Sequence, residues 1–298
     1  ILFLGLGTGY LGLMLTHPDL DAPAFVSFTS QEGPLWPMLF VIIACGAISG
    51  FHSVVAAGTT AKQLPDEKSG KFIGFGGMIL EAALAGLVIF IAAGALIWSG
   101  ADTGEPLHFQ MLMTPEGGGP IQAFATGYGV LIESIPGLTL LMGMFFGMVM
   151  LNAFVLTSLD TGTRLGRFIL TELLGKKVKI FNNRWASSAF ILVFAAFLGG
   201  TESYKAIWPV FGASNQLVAA LALIIVSSYL VSRKRPTKYT LYPAYFMLIT
   251  TFGALIYQGY HFFINRSYLL ASVSLILIVL ACVIIYEARN ILFRLRAG

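Results

Sequence analysis

Long hydrophobic runs alternate with short polar connections along the whole chain. Most of the runs approach the roughly 20 residues that a helix needs to span the hydrocarbon core of a bilayer. They lack the alternation of barrel strands, and only helices or closed barrels satisfy their backbone groups in lipid. The pattern predicts an all-α, polytopic transmembrane bundle of about eight membrane helices. The eight segments are 1–16, 36–58, 72–98, 137–159, 186–199, 207–231, 241–264 and 268–292.

Composition supports this class. Of the 298 residues, 57% are hydrophobic and only 11% are charged, whereas soluble domains average about 25% charged residues. Cys45 and Cys282 lie in separate apolar runs, where we expect buried thiols. The chain has no metal-ligand spacing, no H-E-x-x-H motif and no nucleophile–base–acid set, so no enzyme, metal, cofactor or nucleic-acid partner is predicted.

Basic residues are concentrated on one side of the predicted topology. If the eight helices alternate, 16 of the 18 Lys and Arg fall in four connections, and only Lys205 and Arg266 fall on the opposite side. The positive-inside rule makes the first side cytoplasmic. We therefore expect a multi-pass protein of the inner (plasma) membrane with a cytoplasmic C-terminus. The four connections are 60–71, 160–185, 232–240 and the tail from 285.

Small polar residues are crowded into the inner half of the second predicted helix. A continuous lipid-facing helix does not need them, but a broken helix that lines a cavity can bind a ligand through freed backbone groups and hydroxyls. We predict a helix break here, with a substrate-binding role for these residues; small packing residues around a buried histidine are the alternative. The predicted set is Ser49, His52, Ser53, Thr59 and Thr60.

A second break is predicted early in the sixth segment, in the run IWPVFGASNQL. Pro209 and Gly212 can interrupt a helix, and Ser214 and Asn215 follow at once. We expect substrate to bind near the membrane midplane between the two breaks, with its carboxylate at helix N-termini, hydroxyls or Asn215.

Charged residues within or beside the spans are the candidates for coupling and gating. Glu81 is nine residues into the third predicted helix, where a carboxylate is costly unless it faces the protein interior. We predict that Glu81 and His52 are proton-linked groups; a neutral packing role is the alternative for Glu81. Asp160 and Arg164 are four residues apart and can pair on one helical face, as either a gate or an anchoring ion pair.

Two other features admit simpler interpretations. GTGYLG, from Gly7 to Gly12, fits a dinucleotide-binding fingerprint, but its flanks are membrane helix, so we interpret the glycines as packing residues. The outer connection 99–136 contains apolar residues that predict a short helix lying on or re-entering the membrane, or else a surface cap without a role in transport.

Four blocks of the chain resemble the carbon starvation protein family, CstA, in order and at similar spacing. The resemblance covers nearly the whole chain but only the later part of the family's pattern. We therefore expect one transmembrane transporter domain over 1–298 that lacks the family's N-terminal helices. The blocks are ACGAISGFHSVVAAGTTAKQL, FIGFGGMILEAALA, LTSLDTGTRLGRFIL and IWPVFGASNQLVAALAL.

The resemblance implies an inner-membrane secondary transporter that takes up peptides or pyruvate-like carboxylates with protons in the carbon starvation response. It also implies kinship with amino acid–polyamine–organocation transporters, with their inverted repeats. The expected partners are a small-molecule substrate, protons and the lipid bilayer. An ion channel, or another polytopic protein without coupled transport, is the alternative; the scattered, non-repeating polar groups argue against a symmetric pore.

Overall fold

The structure is a computed structural model, and it describes residues 1–30, 33–99, 107–114, 116–201 and 204–297. The chain divides into two compact units. The first contains Ile1–Val26 and Leu64–Gly162, and the second contains Ser27–Gln63 and Thr163–Gly298.

Helices account for most of the described chain, with one antiparallel pairing of two-residue strands, β1 (Thr29–Ser30) and β2 (Gly33–Pro34). The helix α4 continues through a π-helical turn at Ile91–Ala95, and a 3-10 turn at Thr60–Lys62 follows α3. In chain order the α-helices are α1 Leu2–Thr16, α2 Leu35–Ala47, α3 Gly50–Gly58, α4 Glu67–Phe90, α5 Phe109–Leu112, α6 Gly119–Glu133, α7 Leu140–Leu174, α8 Arg184–Gly200, α9 Tyr204–Ser232, α10 Lys238–Ile264 and α11 Tyr268–Ala297.

The first unit is built around α6, which packs against α1 and the C-terminal end of α4. Tyr128 of α6 is fully buried, and its hydroxyl donates to the Gly5 carbonyl at 2.8 Å. A Cβ at Gly9 would lie 2.9 Å from the Tyr128 ring, and one at Gly12 would lie 2.5 Å from the Leu131 carbonyl oxygen. The packing interpretation of GTGYLG is therefore confirmed at Gly9 and Gly12.

The second unit is built around α9, which packs against α2, α3, α10 and α11. Val41 of α2, Ala213 of α9 and Leu255 of α10 form part of one buried cluster. Further along α9, Ala220 and Ile224 form another cluster with Ala244 of α10 and Ala281 of α11. A helix with partners on several sides is apolar nearly all round, as the sequence of α9 is.

The class of a multi-pass helical membrane protein is confirmed, but the number of spans is not. Among the described residues, five helices are long and apolar enough to cross a membrane, and α1 and α8 are shorter apolar helices of 15 and 17 residues. The second predicted segment is divided between α2 and α3. The five long helices are Glu67–Ala95, Leu140–Leu174, Ile207–Ser232, Lys238–Ile264 and Tyr268–Tyr286.

Two predicted connections contain more helix than expected. The basic connection 160–185 is shortened because α7 continues to Leu174. In the outer connection 99–136, nine of the 15 residues of α6 are buried. A helix that lies flat on a membrane leaves one face in the solvent, so α6 serves as a core helix of its unit. Residues 100–106 and 115 of this connection lie outside the described residues, and re-entry of α6 into the membrane stays a prediction.

Candidate functional site: a helix break held by a buried asparagine

The predicted break in segment 36–58 is present in the structure. The helix α2 ends at Ala47 and α3 begins at Gly50. Between them Ser49 has an extended backbone, with φ −107° and ψ 123°, and its Oγ accepts a hydrogen bond from the His52 N–H at 3.2 Å. Serine is a preferred N-cap because its hydroxyl satisfies one of the N–H groups left free in the first turn. Ser49, one of the residues predicted to bind substrate, is thus the N-cap of α3, the second half of the broken helix.

Asn215 of α9 satisfies a second free N–H of the same turn. Its Oδ1 accepts from the Phe51 N–H at 2.7 Å and from the Ser49 hydroxyl at 3.3 Å. Because a backbone N–H can only donate, the amide oxygen of Asn215 must face it, and this assigns the orientation of the amide group. The asparagine is 4% exposed. A buried side chain of an unbroken helix therefore holds the break in place.

The amide nitrogen of Asn215 is left without an acceptor. It is buried, and it has no hydrogen-bond partner in the described part of the chain. Among the described residues it shares this state with both ring nitrogens of His108, with Gln216 Oε1 and Gln258 Oε1, and with Thr251 Oγ1. The oxygen of the same amide accepts from both Phe51 and Ser49, so Asn215 acts here as a cap for α3.

Close approach of the backbones brings these groups together. A Cβ at Gly50 would overlap the Asn215 carbonyl oxygen and would lie 2.6 Å from the Val218 Cβ. On the other side of the break, a Cβ at Gly212 would lie 2.9 Å from the Val41 Cγ1 and 3.0 Å from the Val41 carbonyl oxygen. Both halves of the broken helix therefore contact α9 at glycines, which is the close packing that small residues allow between membrane helices.

The second predicted break is wrong. The helix α9 is continuous from Tyr204 to Ser232, with Pro209 inside it. Pro209 lies in the second turn, so it removes a hydrogen bond only near the helix end, and its carbonyl accepts from the Gln258 Nε2 at 3.0 Å. Gly212 serves the contact with Val41 and does not interrupt the helix.

The other polar residues of the predicted binding set are not shown to take part in the contact between Ser49 and Asn215. Three hydroxyls donate within their own helices: Ser53 to the Gly50 carbonyl, Thr59 to the Val55 carbonyl and Ser214 to the Phe211 carbonyl. Thr60 opens the 3-10 turn after α3, and the His52 side chain is exposed. From the predicted binding set, the structure brings Ser49 and Asn215 together around the backbone of residues 51 and 52.

The predicted coupling and gating residues are divided between the units. Glu81 is half-buried in α4, in the first unit, and His52 belongs to the second. Asp160 and Arg164 are exposed residues of α7, on either side of the point where the chain passes from one unit to the other. Their roles stay predictions.

A buried polar seam between α9 and α10 was missed by the sequence reasoning. The Gln216 Nε2 donates to the Thr250 Oγ1 at 2.8 Å, and Gln258 reaches the Pro209 carbonyl as described above. Gln216, Thr250, Thr251 and Gln258 are each at most 3% exposed. The sequence signal of this seam is a set of uncharged polar residues inside apolar runs.

These features define the class before any relative is considered: a multi-pass helical membrane protein with a broken helix packed on an unbroken one. The family model described as carbon starvation protein CstA matches residues 1–101 and 109–254. The chain belongs to this family.

Named relatives are transporters. The chain is 30% identical over 326 residues to the pyruvate/proton symporter BtsT of Escherichia coli (strain K12), covering 82% of this chain and 44% of that protein. It is 30% identical over 317 residues to the peptide transporter CstA of Bacillus subtilis (strain 168), covering 93% and 53% respectively. The chain thus spans about half the length of the curated relatives it matches. No solved structure matches the chain.

Proposed function

We propose that the protein belongs to an inner-membrane secondary transporter that takes up small nutrients, peptides or pyruvate-like carboxylates, together with protons in the carbon starvation response. The observation that carries this proposal is the helix break at Ser49, capped by the buried Asn215. Helices that only anchor a protein in lipid need no break, because broken backbone there must find partners.

The break supplies a binding mode for an anion. The N-terminus of α3 points free N–H groups and the positive end of a helix dipole at one place. In the structure the Phe51 and His52 N–H groups are occupied by Asn215 and Ser49. A substrate carboxylate takes up the same N–H groups by displacing these caps.

Proton coupling is assigned to Glu81, with His52 as a second titratable group and with Asp160 and Arg164 as the gate. Glu81 lies within the membrane-capable helix Glu67–Ala95 and is half-buried. A charged side chain inside a membrane-spanning helix is costly, and such residues mark ion and proton pathways. One relative is named a pyruvate/proton symporter.

Uptake by the full-length protein in proteoliposomes tests the proposal. Labelled pyruvate and dipeptides are offered with and without an inward proton gradient. We expect Glu81→Gln to lose gradient-driven accumulation but to retain exchange of internal for external substrate. Glu67→Gln, an exposed carboxylate in the first turn of α4, is the matched control and should keep both activities. Full gradient-driven accumulation by Glu81→Gln would refute the coupling role, and failure of the wild type to move either substrate would refute the transporter.

The orientation is proposed from the distribution of basic residues, which puts the C-terminus in the cytoplasm. Fusions of a cytoplasm-active fluorescent protein and of a periplasm-active phosphatase to the C-terminus separate the two orientations. We expect fluorescence and no phosphatase activity; the reverse pattern would overturn the topology.

A further inference from the structure

An open pocket lies at the turn between α9 and α10 in the second unit. Tyr229 and Leu230 of its lining belong to the end of the membrane-capable helix Ile207–Ser232. Arg233 and Arg235 belong to the turn that follows. Tyrosine is common where a membrane helix meets the lipid headgroups, because its ring is apolar and its hydroxyl is polar. The pocket therefore joins an apolar wall to two positive charges at the end of a membrane helix.

The backbone of this turn fixes where the two arginines stand. The Arg235 N–H donates to the Leu230 carbonyl at 2.9 Å. The Lys234 N–H donates to the Val231 carbonyl, also at 2.9 Å, and Lys234 has the left-handed conformation with φ 54°. Together these features form the Schellman motif that ends many helices. Because the backbone satisfies these carbonyls, the arginine side chains are not needed to cap α9.

Acidic residues are scarce around the two arginines. The sequence contains no Asp or Glu from 203 to 286, a stretch that includes the whole of α9 and α10. Of the other helices packed on α9, α2 and α3 contain none, and α11 contains Glu287, whose side chain lies outside those described. Arg233 contacts the Tyr229 ring, with its guanidinium carbon 5.4 Å from the ring centre. This cation–π contact supplies no oxygen acceptor for the guanidinium N–H groups.

The chemistry of the lining selects a phosphate group on a lipid. Guanidinium N–H donors lie in one plane and match the oxygens of phosphate in pairs. The apolar wall from Tyr229 and Leu230 favours a phosphate that carries acyl chains. A headgroup with its own ammonium would bring a further positive charge to the two arginines, so a headgroup without an amine is favoured. In the proposed topology this turn is cytoplasmic, where anionic lipids make the membrane surface negative.

We propose that this pocket binds the phosphate group of an anionic phospholipid, which Arg233 and Arg235 hold through their guanidinium groups while Tyr229 and Leu230 contact the beginning of the acyl chains. The site is separate from the helix break, because Tyr229 follows Asn215 by 14 residues in α9, or about 21 Å along the helix axis. Lipid binding therefore does not depend on the proposed transport activity. Its effect is to stabilise the end of the helix that caps the break.

Stabilisation of the full-length protein by a short-chain lipid tests the pocket. The protein is purified in a neutral detergent, and its Tm is measured as dioctanoyl phosphatidylglycerol is added. A ligand that binds the folded state raises the Tm in a concentration-dependent way, so we expect a saturable rise for the wild type. Dioctanoyl phosphatidylcholine has the same acyl chains and an ammonium in its headgroup, and it should need about tenfold more lipid for the same rise.

Substitutions within one turn separate the pocket from its general positive charge. Arg233→Gln and Arg235→Gln each remove charge-assisted hydrogen bonds and should raise the half-maximal phosphatidylglycerol concentration about tenfold. Lys234→Gln is the matched control, since it removes the same charge from the same turn but lies outside the lining, and it should leave this concentration nearly unchanged. Arg233→Lys keeps the charge and loses the paired donors, so it should also weaken binding.

Each contrary result has a separate meaning. Equal weakening by all three glutamine variants would show a diffuse positive field and overturn the pocket. A wild type whose Tm rises equally with both lipids would overturn the selection of an anionic headgroup. Inorganic phosphate that gives the same saturable rise at the same concentrations would overturn the lipid as the ligand and assign the two arginines to free phosphate.

Discussion

Replacing Gly50 by alanine would insert a methyl group into the contact between α3 and α9. Its Cβ would overlap the Asn215 carbonyl oxygen and would lie 2.6 Å from the Val218 Cβ and 2.8 Å from the Ala219 nitrogen. The oxygen and the nitrogen belong to the backbone of α9, so a change of rotamer cannot move them. The helix α3 would have to shift, and the hydrogen bond from the Phe51 N–H to Asn215 would lengthen.

The expected loss of stability combines three effects. Overpacking of this kind typically costs about 1–3 kcal/mol, and the weakened hydrogen bond adds up to about 1 kcal/mol. Alanine's better helix propensity returns up to about 1 kcal/mol. The net destabilisation is therefore about 1–3 kcal/mol, which for domains of 150–250 residues corresponds to a fall in Tm of about 2–4 °C per kcal/mol.

The assay compares Gly50→Ala with Gly46→Ala, one turn earlier in the same segment. Apart from its own helix, no described atom lies within 4 Å of a Cβ at Gly46, so this control should keep wild-type uptake and a Tm at or slightly above the wild-type value. Thermal unfolding is measured in detergent, and uptake is measured after reconstitution of the same samples. A Gly50→Ala protein with wild-type Tm and uptake would refute the close contact. An equal loss in both variants would show that the effect does not depend on α9.

Three further changes test other contacts. A double-mutant cycle with Gln216→Leu and Thr250→Val, in which the free energy of unfolding is measured, should give a coupling free energy of about 0.6–1.7 kcal/mol. A coupling of zero would contradict the hydrogen bond between these two side chains. Tyr128→Phe removes a buried hydroxyl that binds a carbonyl of α1 and should cost about 1 kcal/mol in unfolding experiments, whereas an unchanged Tm would speak against that bond. The Ser69 N–H, in the first turn of α4, donates to Asp66 and lowers the pKa of this carboxyl below its ordinary value of 3.8. The cap therefore stabilises the folded protein above that pH, and this stabilisation is lost as the pH falls through the lowered pKa. The Tm difference between wild type and Asp66→Ala should therefore be present at pH 7 and shrink in acid, and a difference independent of pH would refute the cap.

The class of protein and the first helix break were predictable because their signals are local. A run of 20 apolar residues has few alternatives to a membrane helix. Ser49 followed by Gly50 inside such a run is an N-cap signal that needs no knowledge of the partner helix. The capping hydrogen bond from His52 to Ser49 spans three residues, within the reach of a sequence pattern.

The second break was mispredicted because proline and glycine can either interrupt a membrane helix or lie within a continuous one that packs closely on its neighbours. Pro209 lies in the second turn of α9, where it removes a hydrogen bond only near the helix end, and Gly212 packs against Val41 of α2, which is distant in the sequence. The number of spans stays a prediction for a related reason. Hydropathy does not distinguish one segment of 36–58 from two short helices, nor does it indicate that α6 is enclosed by its neighbours.

The break in α2–α3 and the continuity of α9 are consequences of one arrangement. A broken membrane helix has free N–H groups that lipid cannot satisfy, and here a side chain of α9 satisfies one of them. If α9 were also interrupted near Gly212, Asn215 would stand on its own mobile end, and the cap would lose its fixed support. The continuous helix keeps the amide at a fixed height, so that its oxygen caps α3. The unbroken helix therefore stabilises the break as much as the residues of the break do.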